Sequence, residues 1–204
     1  MQQTTARVRI PTEARQSEIV TAVLALTALR APASITTGDI AGLMGLTQGA
    51  VFRHFPSKDA IWLAVMAHIE NNLHAVLENA EHQAPTPWDG LHAVFLAHVR
   101  FVVAHPGVPR LIFSELQQPE DTPVKARVRS LLQRYRQLLL RLLSGVEARG
   151  QLGIGVDHGA AASLFIGTVQ GLVMQSMLAG SCEFMEVEAE RVFALYQRAI
   201  GACA

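Results

Sequence analysis

The stretch from Thr36 to Phe55 constrains this chain more than any other. Thr36-x-x-Asp39 opens a short periodic segment through Ile40, Ala41, Leu43 and Met44, Gly45 follows, and Thr47 opens a second short segment through Phe55. A threonine hydroxyl that accepts a backbone N–H three residues on, with an acid there to reciprocate, is a capping-box helix start. Gly45 adopts the left-handed conformation of a helix end without a Cβ penalty, and Thr47 can cap again. The spacing predicts two short helices across a tight turn, the helix-turn-helix arrangement whose second helix enters the major groove of DNA.

The flanks read as longer helices. Ile19, Val23, Leu26 and Leu29 recur at helical spacing over 13–30, and Pro32 ends that run. Ser57 can cap a long helix over 58–82, striped by Ile61, Val65, Ile69, Asn72, Leu73 and Val76 and closed by Pro85 and Pro87. Further helical segments follow over 88–104, 108–116, 124–149, 157–179 and 185–201, separated by Pro106, Pro109, Pro119, Pro123 and the glycines Gly150, Gly153 and Gly155. The 124–149 segment is amphipathic, with Val128, Leu131, Leu132, Tyr135, Leu138, Leu139, Leu142 and Val146 opposite Arg127, Arg134 and Arg141. No run alternates with the period of a strand. The expectation is an all-α fold of about nine helices: a three-helix head over 12–64 and a larger helical bundle over 65–204.

The 17 Lys and Arg balance the 17 Asp and Glu, so any nucleic-acid surface must be local. Up to residue 60 the bases Arg7, Arg9, Arg15, Arg30, Arg53 and Lys58 outnumber the acids Glu13, Glu18, Asp39 and Asp59. Cys182 and Cys203 show no C-x-x-C spacing, and residues 1–15 contain no apolar leader; both features predict a cytoplasmic protein. Residues 159–180 carry no charge and are long enough for a membrane span. Ser163, Thr168, Gln170, Gln175 and Ser176, with no flanking Lys or Arg cluster, favour instead a helix buried by several partners, and no membrane partner is expected.

Thr36-x-x-Asp39-Ile40-Ala41 followed by Gly45-Leu46-Thr47-Gln48-Gly49-Ala50-Val51-Phe52-Arg53-His54-Phe55-Pro56-Ser57-Lys58-Asp59 resembles the signature of the TetR family of bacterial transcriptional regulators. The resemblance runs from Ile19 to Ala64; beyond it only the architecture agrees. It implies double-stranded operator DNA as a partner, contacted by Thr36, Thr37, Thr47, Gln48, Gly49, Ala50, Phe52, Arg53, His54 and Lys58. Thr47 suits a phosphate and Gln48 an adenine edge, while Gly49 and Ala50 keep the helix surface low enough to approach the bases. Phe52 departs from the family, which usually carries a phosphate-binding tyrosine there. Arg53 suits either guanine or a phosphate, and His54 and Lys58 resemble the family's phosphate contacts. Arg7 and Arg9 read equally as a minor-groove arm or a tail without fixed structure.

The same resemblance implies that the later helices bind a small-molecule effector and form a homodimer, with repression as the commoner mode. Candidate pocket residues are Phe95, His98, Phe101, Val102, His105, Phe113, Leu139, Gln170 and Met174. For the dimer, Gly167 and Gly171 would admit a close helix, with Leu164, Leu172 and Leu178 around them and Val192, Leu195, Tyr196 and Ala199 on the last segment. The alternative is that the glycine pair packs within one subunit.

No metal and no cofactor is expected. His98 and His105 are seven apart, too far for an i, i+4 chelate, and with His68 and His74 they form no recognisable ligand cluster. There is no P-loop, G-x-S-x-G or H-E-x-x-H, and Gly153-x-Gly155 follows a helix rather than a strand, so an enzyme is not expected. Two other readings remain open: a helical protein-interaction adaptor, and a helical enzyme using the His98 and His105 region.

Overall fold

The structure, a computed structural model, describes residues 11–202. Nine α-helices follow one another there: α1 (Thr12–Leu29), α2 (Thr37–Leu43), α3 (Gln48–Phe52), α4 (Lys58–Gln83), α5 (Pro87–Ala104), α6 (Gly107–Leu116), α7 (Pro123–Ala148), α8 (His158–Ala179) and α9 (Met185–Ile200). A 3-10 turn at Pro32–Ser34 and a single bridge between Leu152 and Gly201 were not foreseen from the sequence. Arg7, Arg9 and Cys203 lie outside the described residues.

Side-chain caps set where these helices begin. Thr36, Thr47, Ser57, Thr86, Thr122 and Asp157 each accept the backbone N–H three residues on, satisfying one of the donors a helix start leaves free. Proline at the first helical position adds to this in α5 and α7. Gly45 takes φ 63°, the left-handed turn between α2 and α3. The α3 helix stops at Phe52, short of the expected Phe55, because Pro56 disfavours helical backbone at the residue before it. The chain continues only as a turn in which the His54 and Phe55 N–H groups donate to the Val51 carbonyl.

Ile19, Val23, Ile35, Ile40, Val51 and Ile61 meet in a small core that ties α1, α2 and α3 to the first turns of α4; each is at most 1% exposed. Burying side chains of this kind contributes about 2 kcal/mol apiece. In the larger bundle α5 is central, packing on α4, α7, α8 and α9. Its Phe95 meets Phe165 of α8 edge-on, and Phe193 and Tyr196 of α9 complete the aromatic cluster.

The buried face of α4 differs from the expected stripe. Asn72 and Val76 are exposed, while Met66, Glu70, His74 and Leu77 are buried, because α4 is covered by both α5 and α7 rather than by one neighbour. The arginines of α7 likewise do not simply face water. Arg127 and Ser130 donate to Glu70 at 3.1 and 2.9 Å, Arg134 lies 3.7 Å from the same carboxylate, and Arg141 donates to Glu81 at 3.0 Å. Glu70 is thus a buried acid whose lone pairs are answered from α7, as a buried charge requires.

The α6 helix joins the bundle to the N-terminal helices. A Cβ on Gly107 would come within 2.7 Å of the Ala28 backbone nitrogen and 2.3 Å of Thr27 Oγ1, so glycine is what allows α6 to sit on α1. Arg110 Nη1 donates to the Ala28 carbonyl at 2.5 Å, capping an orphan acceptor at the end of α1. By length and composition α8 is apolar enough to cross a membrane; its buried side packs against α5, α7 and α9.

Candidate nucleic-acid interface and internal cavity

The α2–α3 unit is held rigidly from both ends. Thr36 accepts the Asp39 N–H at 3.1 Å and donates its hydroxyl to Asp39 Oδ2 at 2.7 Å, and Arg30 grips Asp39 Oδ1 at 2.8 Å. The Thr36 hydroxyl, then Arg30 and the Thr36 N–H, hold the Asp39 carboxyl far below the usual carboxylate range. The exposed Thr36 thus commits its hydroxyl hydrogen to Asp39. Thr37 is half-buried on the first turn of α2.

Thr47 accepts the Ala50 N–H at 3.2 Å and keeps its own hydroxyl hydrogen. Gln48, Gly49, Phe52 and Arg53 are exposed, with Phe52 at 44%, and Ala50 is half-buried. Open space surrounds Gly49. Leu43, 56% exposed at the end of α2, belongs to the same unit and was not singled out from sequence, where it read as part of the apolar stripe.

Two of the four described cations of the head are engaged. Arg15 pairs with Glu18 and Arg30 with Asp39, which leaves Arg53 and Lys58 without an ion-pair partner among the described residues up to 60. Lys58 opens α4, half-buried, along a groove shared with Trp62 of α4 and Leu111 and Glu115 of α6. His54 is drawn inward: Gln16 donates to its carbonyl at 2.9 Å, and its Nδ1 is buried without a partner, so only part of the ring faces outward.

Deeper in the bundle lies a cavity of about 100 Å³ bounded by α4, α5, α6, α7 and α8. Of the residues expected to line a pocket, His98, Phe101, Val102, Phe113 and Gln170 do so, joined by Leu73, Ile112, Leu131, Tyr135, Ile166 and Val169. Phe95 and Leu139 are not at the cavity; each is 0% exposed within the core. Met174 is 45% exposed on the outer face of α8. His105 stacks on Phe101 with centroids 4.5 Å apart, bonds that residue's carbonyl, and is exposed beyond the end of α5. His98 and His105 therefore do not converge on one site.

His98 Nδ1 lies 3.1 Å from the Tyr135 hydroxyl, and the rings meet edge to face. Burial pushes the His98 imidazolium down to about 4 and raises the Tyr135 phenol well above its usual value. Both are neutral at pH 7. Tyr135 was assigned only to the apolar stripe of its helix; its partner across the cavity had no signal in local spacing.

On the outer surface of α8 and α9, Leu164, Leu178 and Leu195 are 49, 82 and 58% exposed. A Cβ at Gly167 or Gly171 would meet nothing within 4 Å, so these glycines serve no close packing within the chain. Ala199 is also exposed and Val192 half-buried. Leu172 and Tyr196 turn inward instead: both are 4% exposed, and the Tyr196 hydroxyl donates to the Ala161 carbonyl at 3.2 Å. Among the described residues no three His, Cys, Asp or Glu side chains converge on a possible metal position.

A short capped helix pair at one end of an all-helical bundle defines a helix-turn-helix protein. Residues 19–65 match the family model described as bacterial regulatory proteins, tetR family. The chain is 24% identical over 161 residues to the nucleoid occlusion factor SlmA of Idiomarina loihiensis, spanning 79% of this chain and 82% of that protein. Among solved structures it is similar to a TetR transcription regulator from Haloarcula marismortui, with a TM-score of 0.80 at 17% identity over 93% of this chain and 99% of that one. It is also similar to the transcriptional regulator FadR from Bacillus subtilis in complex with stearoyl-CoA, with a TM-score of 0.77 at 17% identity over 88% and 96% of the two chains. Residues 19–65 thus carry the TetR-family match, and the chain as a whole has the fold of TetR-family DNA-binding transcriptional regulators.

Proposed function

We propose that this protein is a homodimeric cytoplasmic repressor that reads a palindromic operator with α3 and leaves it when a small molecule enters the bundle. Residues 12–64 act as the reading head and 65–204 as the sensor and dimerisation body. The observation that carries this reading is the seating of α6: it lines the cavity through Ile112 and Phe113 and grips α1 through Gly107 and Arg110. A ligand that favours a different seat for α6 shifts the head, and weakens operator binding by its preference for that state.

In the head, Gln48 supplies base reading and Thr47 and Arg53 anchor the backbone, with Phe52 lying against sugar or a thymine methyl. In the body, the exposed faces of α8 and α9, with the open glycines at their centre, pair across a two-fold axis into a four-helix interface. The SlmA relative is named for nucleoid occlusion. The internal cavity favours an effector-responsive regulator.

Fluorescence anisotropy with a palindromic fragment from the gene's own upstream region tests the reading. A regulator keeps a sequence-dependent component of affinity as salt rises, whereas binding that vanishes uniformly with salt would mean only a non-specific cation surface.

A further inference from the structure

The chemistry of the cavity restricts what can occupy it. No Asp, Glu, Lys or Arg lines it, and its walls are almost wholly aliphatic and aromatic. The polar exceptions are His98, Tyr135 and, at the rim, the exposed Gln170. An ion entering such a space would lose its hydration with no opposite charge to replace it, a penalty that excludes carboxylates and ammonium groups.

The His98–Tyr135 pair is adaptable. When the tyrosine hydroxyl donates to Nδ1, the imidazole Nε2–H is a donor and the phenol oxygen an acceptor; with the other tautomer the phenol donates and Nε2 accepts. Nδ1 makes the one hydrogen bond of this ring among the described residues. The remaining capacity suits one group on a ligand, and a hydroxyl, which both donates and accepts, fits either state.

We propose that this cavity takes a small uncharged molecule, largely apolar and carrying a single hydroxyl or carbonyl that hydrogen-bonds the His98–Tyr135 pair. The inference rests on reading the bundle as the sensor. At about 100 Å³ the space is smaller than the engineered cavity of ~150 Å³ that admits benzene, so the occupant is compact or opens the rim near Leu116 and Gln170.

Four probes of matched shape test the proposal on the full-length, DNA-free protein by isothermal titration calorimetry at pH 7: p-cresol, p-xylene, p-toluate and 4-methylbenzylamine. We expect p-cresol to bind most tightly, p-xylene about five-fold more weakly for want of the hydrogen bond, and the two ions at least about ten-fold more weakly. Tyr135→Phe combined with His98→Leu, which removes both hydrogen-bonding partners and keeps the walls apolar, should erase the preference for p-cresol over p-xylene. The proposal is overturned if p-toluate or the amine binds as well as p-cresol, if none of the four binds, or if the double variant keeps the preference. The wild-type probe series does not depend on the variant folding. Operator release is measured separately: if p-cresol binds but the operator complex is indifferent to it, the ligand class stands and the effector-release reading fails.

Discussion

A Cβ built on Gly38 would lie 2.8 Å from Nε2 of Gln48, so the side chain at the head of α3 folds across the first turn of α2. Gln48, which we propose reads bases, is thus positioned by the absence of a side chain on the neighbouring helix. Gly38→Ala should displace the Gln48 amide, the far end of a flexible side chain, at little cost to folding, because alanine is favoured over glycine in a helix by up to about 1 kcal/mol. We expect Gly38→Ala and Gln48→Ala to change the ranking of operator variants in anisotropy titrations while Tm holds or rises. An unchanged ranking in both would remove Gln48 from base reading.

That relationship also marks the limit of what was legible in the chain. Caps and breakers are local chemistry, so Thr36, Thr47, Ser57 and the prolines located the helices to within a few residues, and the capping box at Thr36 has the form its spacing implies. Contacts between distant segments leave no local trace. Glu70 with Ser130, Gly107 with Thr27, and His98 with Tyr135 each depend on which helix lies opposite, and α4 was misread because two neighbours cover it. The same blindness put Phe95 and Leu139 at the pocket: apolar spacing reports burial, not whether the burying neighbour is a side chain or a void.

The α1–α6 contact gives a second expectation. Gly107→Ala places a methyl group against backbone at 2.7 Å, which cannot be relieved by a side-chain rotation. Overpacking of this kind costs about 1–3 kcal/mol. Arg110→Ala removes only one capping hydrogen bond, worth about 1 kcal/mol. Calorimetric unfolding should therefore rank Gly107→Ala below Arg110→Ala, both below wild type. If α6 transmits ligand binding, Arg110→Ala also weakens the effect of ligand on operator affinity without weakening ligand binding itself. Equal stability of the two variants would show that α6 does not sit on α1 as closely as described.

Between pH 6.5 and 4, acid should destabilise the protein through a histidine, since the depressed Asp39 carboxylate is protonated only below that window. His98 is pushed down to about 4 in the folded chain by burial, against 6.5 for a free histidine, and burial lowers His74 as well. Unfolded chains then bind more protons between those values, so stability is flat above pH 6.5 and falls as pH drops from 6.5 toward 4. The loss from His98 alone is at most about 3 kcal/mol. Urea unfolding across this range should show the slope, and His98→Asn should flatten it. A slope unaltered in the variant would assign the acid sensitivity elsewhere.

The outer face of α8 and α9 supports the sharpest prediction about assembly. Leu178 and Leu164, 82 and 49% exposed, flank glycines whose missing side chains meet nothing in their own chain. Several large apolar side chains exposed along one pair of helices suit an interaction surface. Replacing Leu178 by glutamate removes little packing within the chain and replacing the half-covered Leu164 somewhat more, but neither is a core residue, so the helical content of a monomer should be kept. At a two-fold interface, however, each substitution is made twice and buries two like charges close together. We expect Leu164→Glu and Leu178→Glu to sediment at half the mass of wild type, with operator affinity reduced by at least about a hundred-fold because one head alone contacts only one half-site. If both variants sediment as wild type does, this face is not where two copies meet. If they become monomers yet bind the operator undiminished, the paired reading of a palindrome is wrong although the interface is right.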